Sequence, residues 1–294
     1  MHQSNNLKMR KTAEMPLTES ESYCLEEVRR HDHDRYLTTL FLPPLQRADA
    51  LALYAFNLEV ARTREIVSEP ILGQIRLQWW RETIEGIYAG TAREHPVVAA
   101  LSETCQRHNL DRRKIEALID AREVDMDDGA PSDMPALEAY AANTSGCLSR
   151  LVMETLGATS EVTLTAAEQV GSAWALVGLA RSVAFHAQHQ RIYIPADLLS
   201  EYEVAQRQLF DLKPSVGLNK SIQRMVGVAE TKLKQARAMG AEITRPERKG
   251  LLLATLADRY IAKMRKAGFD PFAIPTSEPP RVLRLSWLAW RGAY

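Results

Sequence analysis

Residues 51–65 read LALYAFNLEVARTRE and residues 181–195 read RSVAFHAQHQRIYIP. In the first stretch Leu51, Tyr54, Ala55, Leu58 and Ala61 recur at steps of three and four, which defines one helical face. Pro43 and Pro44 precede it, where proline suits a first helical turn, and Pro70 marks its end. A helix over 45–67 follows. The same periodicity predicts helices over 71–88 (closed by Gly90), 96–107, 111–126, 135–156, 165–188, 217–243 and 247–267, with short helices or turns filling 195–210. Pro131, Pro135, Pro195, Pro214, Pro246 and Pro271 fall between these segments rather than inside them. No stretch alternates as a strand would. The expected architecture is all-α, one bundle around one core.

Composition agrees with a globular chain. Of 294 residues 46% are hydrophobic and 25% charged, which excludes wholesale disorder and fibrous classes. The 37 Lys+Arg cancel the 37 Asp+Glu, and a net charge of 0 argues against a nucleic-acid coat. The zero is unevenly spread. Residues 232–294 hold 13 Lys+Arg against 5 Asp+Glu, a surplus of +8, so the remainder carries −8. Cys24, Cys105 and Cys147 are odd in number and widely spaced, which reads as buried thiols in a reducing compartment. No apolar run reaches the roughly 18 residues a spanning helix needs. The first residues, MHQSNNLKMRKTAEMP, lack the apolar centre of a secretory signal. The expected division is a disordered tail over 1–17, an all-α domain over 18–270 and a basic amphipathic tail over 271–294. That last segment runs through RVLRLSWLAWRGAY. Its arginines and tryptophans suit either an anionic membrane surface or packing back onto the bundle.

Leu42-Pro43, Arg47, Leu53-Tyr54-Ala55-Phe56, Trp80-Arg81-Glu82, His95-Pro96-Val97, Ile119-Asp120, Tyr140 and Arg191-Ile192-Tyr193-Ile194-Pro195 occur in this order across residues 20–265. In that order and spacing the chain resembles the squalene/phytoene synthase family. The resemblance implies a single-domain helical bundle of the isoprenoid (trans-prenyl) synthase type. Active members join prenyl diphosphates. Two facing helices each carry aspartates four residues apart, and these bind Mg²⁺, which bridges to the diphosphate.

On this chain those aspartate positions fall on Ala61, Arg62 and Glu65 in the first helix and on Ser182 and His186 in the second. Only Glu65 keeps a carboxylate. Glu59 lies six residues away, turned to another side at 100° per residue. A hard dication left with one carboxylate, and with a guanidinium and an imidazole beside it, loses most of its oxygen ligands. Asn143 stands where the family's squalene synthases place a second tyrosine. Phe56 to Ala61, Tyr140 to Thr144 and Arg181-Ser182 with Phe185-His186-Ala187 resemble one branch of the family, which includes the mitochondrial complex I assembly factor and its bacterial relatives. That resemblance implies a catalytically inactive protein with no cofactor, engaged with respiratory-complex subunits or another membrane-complex protein. It leaves room for a lipid or isoprenoid ligand in the old cavity, and the net charge of 0 argues for no nucleic-acid partner. The location would be cytoplasmic, peripheral at the inner face of the inner membrane (the matrix side in a eukaryote). The alternative is an active prenyl transferase with a metal-poor site, using Mg²⁺ and Glu65 with the arginines on the diphosphate.

The candidate cavity residues are Tyr54, Glu65, Arg81, Asn143, Arg181, His186, Arg191 and Tyr193. Each also has a plainer reading. Glu65 suits a surface salt bridge as well as a cavity ligand. Arg181 with His186 suits either an anionic head group or a buried pair at a helix end. Arg191 and Tyr193 suit chain orientation. Trp79 and Trp80 read as core, with Arg81 over their rim. In His31-Asp32-His33-Asp34 the histidines are two apart and face different ways on a helix, which argues against a metal. Asp125, Asp127, Asp128 and Gly129 lack the alternating ligands and closing glutamate of a calcium loop, and read as a solvated helix terminus.

Overall fold

The computed structural model describes residues 17–67, 69–127, 129–274 and 282–294. The tail expected over 1–17 therefore lies outside the described residues except for Leu17, as do Asp128 and Glu278 to Arg281. The described chain opens on a reciprocal cap. The Thr18 hydroxyl accepts from the Glu21 amide and the Glu21 carboxylate accepts from the Thr18 amide, which starts helix α1 (Glu19–His31). The Asp32 side chain then caps α2 (His33–Thr39). Neither helix follows from the apolar periodicity, although the Thr-x-x-Glu signature of the first is present in the sequence.

Next come α3 (Pro44–Ala61), α4 (Thr63–Ile66), α5 (Pro70–Ala89), α6 (Pro96–His108), α7 (Arg112–Asp120) and a 3-10 turn (Glu123–Met126). The helix expected over 45–67 is thus two helices. At Arg62 φ is −85° and ψ 0°, which breaks the α-helical ladder. The second half continues with α8 (Met134–Ala141), a π turn (Ala142–Gly146), α9 (Cys147–Thr155), α10 (Glu161–Arg181), α11 (Val183–Gln188), α12 (Ala196–Glu201) and α13 (Gln206–Phe210). α14 (Val216–Ala238), a 3-10 turn (Glu247–Leu251), α15 (Leu253–Lys266) and α16 (Val282–Arg291) complete it. The segment over 135–156 is interrupted by the π turn. The segment over 165–188 breaks at Ser182, with φ −100° and ψ 12°. No strand occurs among the described residues.

α3 corrects the one-faced reading of its sequence. Every residue from Ala48 to Asn57 is buried, so the helix is enclosed on all sides. It packs against α1, α6 and α9, while α10 packs against α14, the π turn, α9 and α15. Two apolar clusters result, one around α3 and one around α10. α9 serves both: Leu148, Leu151 and Val152 belong to the first and Met153 to the second. The π turn and α10 meet backbone to backbone. A Cβ on Gly171 would lie 2.2 Å from the Ser145 carbonyl oxygen, so only glycine fits there. In the first cluster a buried carboxylate, Asp49, accepts from the Thr104 hydroxyl, Arg107 and His108 Nε2 (2.8 Å).

The C-terminal segment folds back. Leu285 and Ala289 of α16 are buried. Arg248 donates to the Gly292 carbonyl (3.2 Å) and the Tyr294 hydroxyl donates to the Ala236 carbonyl (3.1 Å). Of the cysteines, Cys24 and Cys105 are buried and Cys147 is half-buried. No helix among the described residues is long and apolar enough to cross a membrane.

Candidate functional site

Asp125 is the centre of the site, and its sequence neighbourhood does not announce it. The acidic run expected to be a solvated helix terminus divides. Asp127 is exposed, but Asp125 sits on the 3-10 turn with 7% of its surface accessible. A carboxylate so placed needs compensation. The Tyr140 hydroxyl on α8 donates to Oδ1 and Oδ2 (2.8 and 3.1 Å), the Tyr193 hydroxyl donates to Oδ1 (3.0 Å), and Arg122 Nη1 lies 3.3 Å from Oδ2. Arg122 also donates to the Tyr140 oxygen (2.7 Å). Burial, and then the Asp125 charge, push the Tyr193 phenol up, and burial does the same to Tyr140, so both stay protonated and donate.

This cluster stands between two pockets. On one side a cavity of about 490 Å³ is lined by Asp125, Tyr140, Tyr193, Asn143 and Arg191 among apolar side chains including Ala136, Ala139 and Ile192. On the other a pocket of about 200 Å³ is lined by Arg122, Tyr140, Arg35, Trp174, Ser182 and His186. Three of the expected site residues, Asn143, Arg191 and Tyr193, thus share the larger cavity. Arg191 reaches across to donate to the Arg64 carbonyl (2.8 Å), which ties the chain after α11 to α4.

His186 closes the smaller pocket with its ring 4.7 Å from that of Tyr193. Burial, reinforced by the Arg191 charge, lowers its imidazole to about 4, so it is neutral at physiological pH. It forms no pair with Arg181. That guanidinium lies 4.2 Å from the Tyr260 ring centre and 3.9 Å from Asp34. Two nitrogens of the pocket wall, His186 Nδ1 and Arg35 Nε, make no hydrogen bond among the described residues.

The other expected residues lie elsewhere. Tyr54 is buried in α3 with the Arg35 guanidinium 5.4 Å from its ring centre. Arg81 pairs with Asp120 (2.9 Å) and Glu123 beside an open depression on α5, where Trp79 is half-buried and only Trp80 is core. Glu65 is exposed, and its carboxylate faces Arg62 Nε at 3.8 Å.

These positions do not fit a Mg²⁺ cluster. Arg62 and Ser182 are each the residue at which a helix breaks. The one carboxylate among the five positions is engaged by a guanidinium, and Mg²⁺ demands an octahedron of oxygens. Among the described residues no group of three or more His, Cys, Asp or Glu is placed to hold a metal ion. Asp125 is hidden in the sequence because its run is acidic and Gly-flanked. Of its partners only Arg122, three residues before it, is local, while Tyr140 and Tyr193 come from two other segments that no local spacing reports.

The sequence profile of the squalene/phytoene synthase family matches residues 28–291. A relative from Bos taurus, named NADH dehydrogenase (ubiquinone) complex I, assembly factor 6, is 31% identical over 277 residues, covering 94% of this chain and 83% of its own. The Homo sapiens protein of that name is 30% identical, with the same shares covered. Among solved structures, a dehydrosqualene synthase in complex with ligand superposes with a TM-score of 0.81 at 19% identity, over 92% of this chain and 95% of that one. At that identity the likeness shows the fold alone.

Proposed function

The chain belongs to the squalene/phytoene synthase family, and we propose from that premise that it is a non-catalytic member which serves the assembly of respiratory complex I. One observation carries the loss of catalysis. The positions that would hold Mg²⁺ are Ala61, Arg62, Ser182, a neutral His186, and a Glu65 turned to solvent beside Arg62. Without the metal a departing diphosphate lacks the dication that would bridge and neutralise it. The assembly role rests on relatives named for it that cover 94% of this chain.

The pockets beside Asp125 are the part of the reading that concerns a ligand. The larger has the volume usual for a small-molecule site, apolar walls and a few fixed polar groups. The unpartnered His186 Nδ1 and Arg35 Nε add two polar anchors in the smaller one. This pattern suits a lipid or isoprenoid with a polar end. The protein would work at the inner membrane, attached peripherally and in contact with respiratory-complex subunits.

A deletion strain tests the role. Loss of respiratory NADH oxidation with isoprenoid products unchanged is the expected outcome. Loss of isoprenoid products instead, or turnover of farnesyl or geranylgeranyl diphosphate by the purified protein with Mg²⁺, would establish the transferase reading in its place.

A further inference from the structure

α5 carries an apolar line on its outer side. Ile71, Ile75 and Trp79 follow at steps of four, which puts them on one face over about 12 Å at 1.5 Å per residue. Ile71 and Ile75 are exposed by 55% and 59%, and Trp79 is half-buried. Opposite stands the 3-10 turn, with Val124 exposed by 55% and Met126 buried. Between them lies the open depression, about 860 Å³, with Ile75, Trp79, Val124 and Met126 along it and Gln74 and Gln78 at its rim. The turn seats directly on the helix, since a Cβ on Gly73 would lie 2.2 Å from Met126 Sδ. Of the charges that line the depression, Arg81 and Glu123 pair with each other and Glu82 pairs with Arg93 (2.7 Å). Those charges are spent on one another, and the apolar line is left for another occupant.

Val124 and Asp127 line this depression and also the 490 Å³ cavity beside Asp125. The two hollows therefore share an edge, and the exposed Val124 side chain lies on it. The cavity supplies polar groups for a head, in Asn143, Arg191 and Tyr193. A chain held there by its polar end can leave over an apolar edge and continue along an apolar line, burying surface all the way. A bilayer or a partner protein would cover Ile71 and Ile75 as well, but neither accounts for the edge shared with the cavity.

We infer that the α5 depression receives the far part of the ligand's apolar chain, which passes out of the cavity over Val124 and lies along Ile75 and Trp79. The inference rests on the ligand reading proposed above and narrows its class to a lipid or isoprenoid whose chain is longer than the cavity. It also makes Val124 and Ile75 the residues that select for chain length.

The test is isothermal titration of the full chain with two pairs of probes, farnesol with geranylgeraniol and dodecanoate with octadecanoate. The expected result is that the longer probe of at least one pair binds about tenfold more tightly, because its added carbons are covered by the depression. A gain confined to one pair identifies the chain as isoprenoid or straight. Ile75 and Val124 are exposed, so Ile75→Asp and Val124→Asp variants should keep their fold, checked by circular dichroism. Each puts a carboxylate on the route and should bring the longer probe down to the affinity of the shorter. Equal binding within both pairs by the wild type, or a gain that survives both substitutions, would overturn the inference and leave the cavity reading standing. Absence of binding by all four probes would overturn both. Co-sedimentation with phosphatidylcholine vesicles that Ile75→Asp abolishes, without a chain-length gain, would assign the line to a bilayer surface and likewise overturn the inference.

Discussion

At the scale of single residues the site is a set of replacements with different fates. Arg62 and Glu65 turn to each other at the surface, whereas Ser182 and His186 remain on a pocket wall. His186 shows the physical consequence most clearly. Its imidazole meets Tyr193 and Phe185, faces the Arg191 charge, and is lowered by burial to about 4. The unfolded chain titrates near 6.5 and so binds more protons than the folded one between those values. Stability contributed by the neutral ring is therefore complete above pH 6.5 and is lost as pH falls toward 4. The full loss is about 3 kcal/mol, since each tenfold change in proton affinity is worth about 1.4 kcal/mol. A His186→Phe variant keeps the ring contacts and removes the titration. Denaturant unfolding at several pH values should show the wild type falling more steeply than the variant between pH 6.5 and 4. Parallel curves would mean that the ring is not held neutral.

At the scale of elements, periodicity locates most helices but not their breaks. The segment over 45–67 reads as one helix because Thr63, Arg64, Glu65 and Ile66 are all acceptable helical residues. The break at Arg62 leaves the chain free to re-aim at the Arg191 contact, and a tertiary contact leaves no trace in local spacing. The π turn within 135–156 is hidden in the same way. It meets Gly171 of α10 backbone to backbone, a contact that only the packed structure reveals. Asp125 belongs with these, because both of its phenol partners come from distant segments, whereas Asn143, Arg191 and Tyr193 are recoverable from motif order alone. Two glycines separate the packing effect from the backbone effect. Gly171→Ala would put a Cβ 2.2 Å from a backbone oxygen, and overpacking of this kind costs about 1–3 kcal/mol. Gly227→Ala in α14 meets nothing within 4 Å and should stabilise by about 0.5–1 kcal/mol, the usual helix preference for alanine. Thermal melts of the two variants should move in opposite directions. A Gly171→Ala variant as stable as the wild type would mean that the π turn yields easily.

At the scale of the whole molecule the question is why two apolar clusters behave as one fold. The α3 and α10 clusters are joined by α9, which sends Leu148, Leu151 and Val152 one way and Met153 the other. Arg35 crosses the same seam. It bonds to Asp32 and to Ser145 of the π turn, 2.7 Å each, while lying over Tyr54 of α3. The Asp125 clamp adds a polar weld, since its partners come from α8 and from the segment after α11. Welds of this density make partial unfolding expensive, because releasing either cluster exposes the other's face of α9. The wild type should therefore unfold in one calorimetric transition, with calorimetric and van't Hoff enthalpies equal. Leu151 is fully buried, and Leu151→Ala should cost about 2–5 kcal/mol through lost transfer energy and the cavity left behind. If α9 is what couples the clusters, that destabilisation lowers the single transition without dividing it, because Met153 and the Arg35 bridge remain. Two separated transitions in the variant would show that the clusters are independent domains held together by Leu151 alone. Two transitions already present in the wild type would show that they were never one cooperative unit.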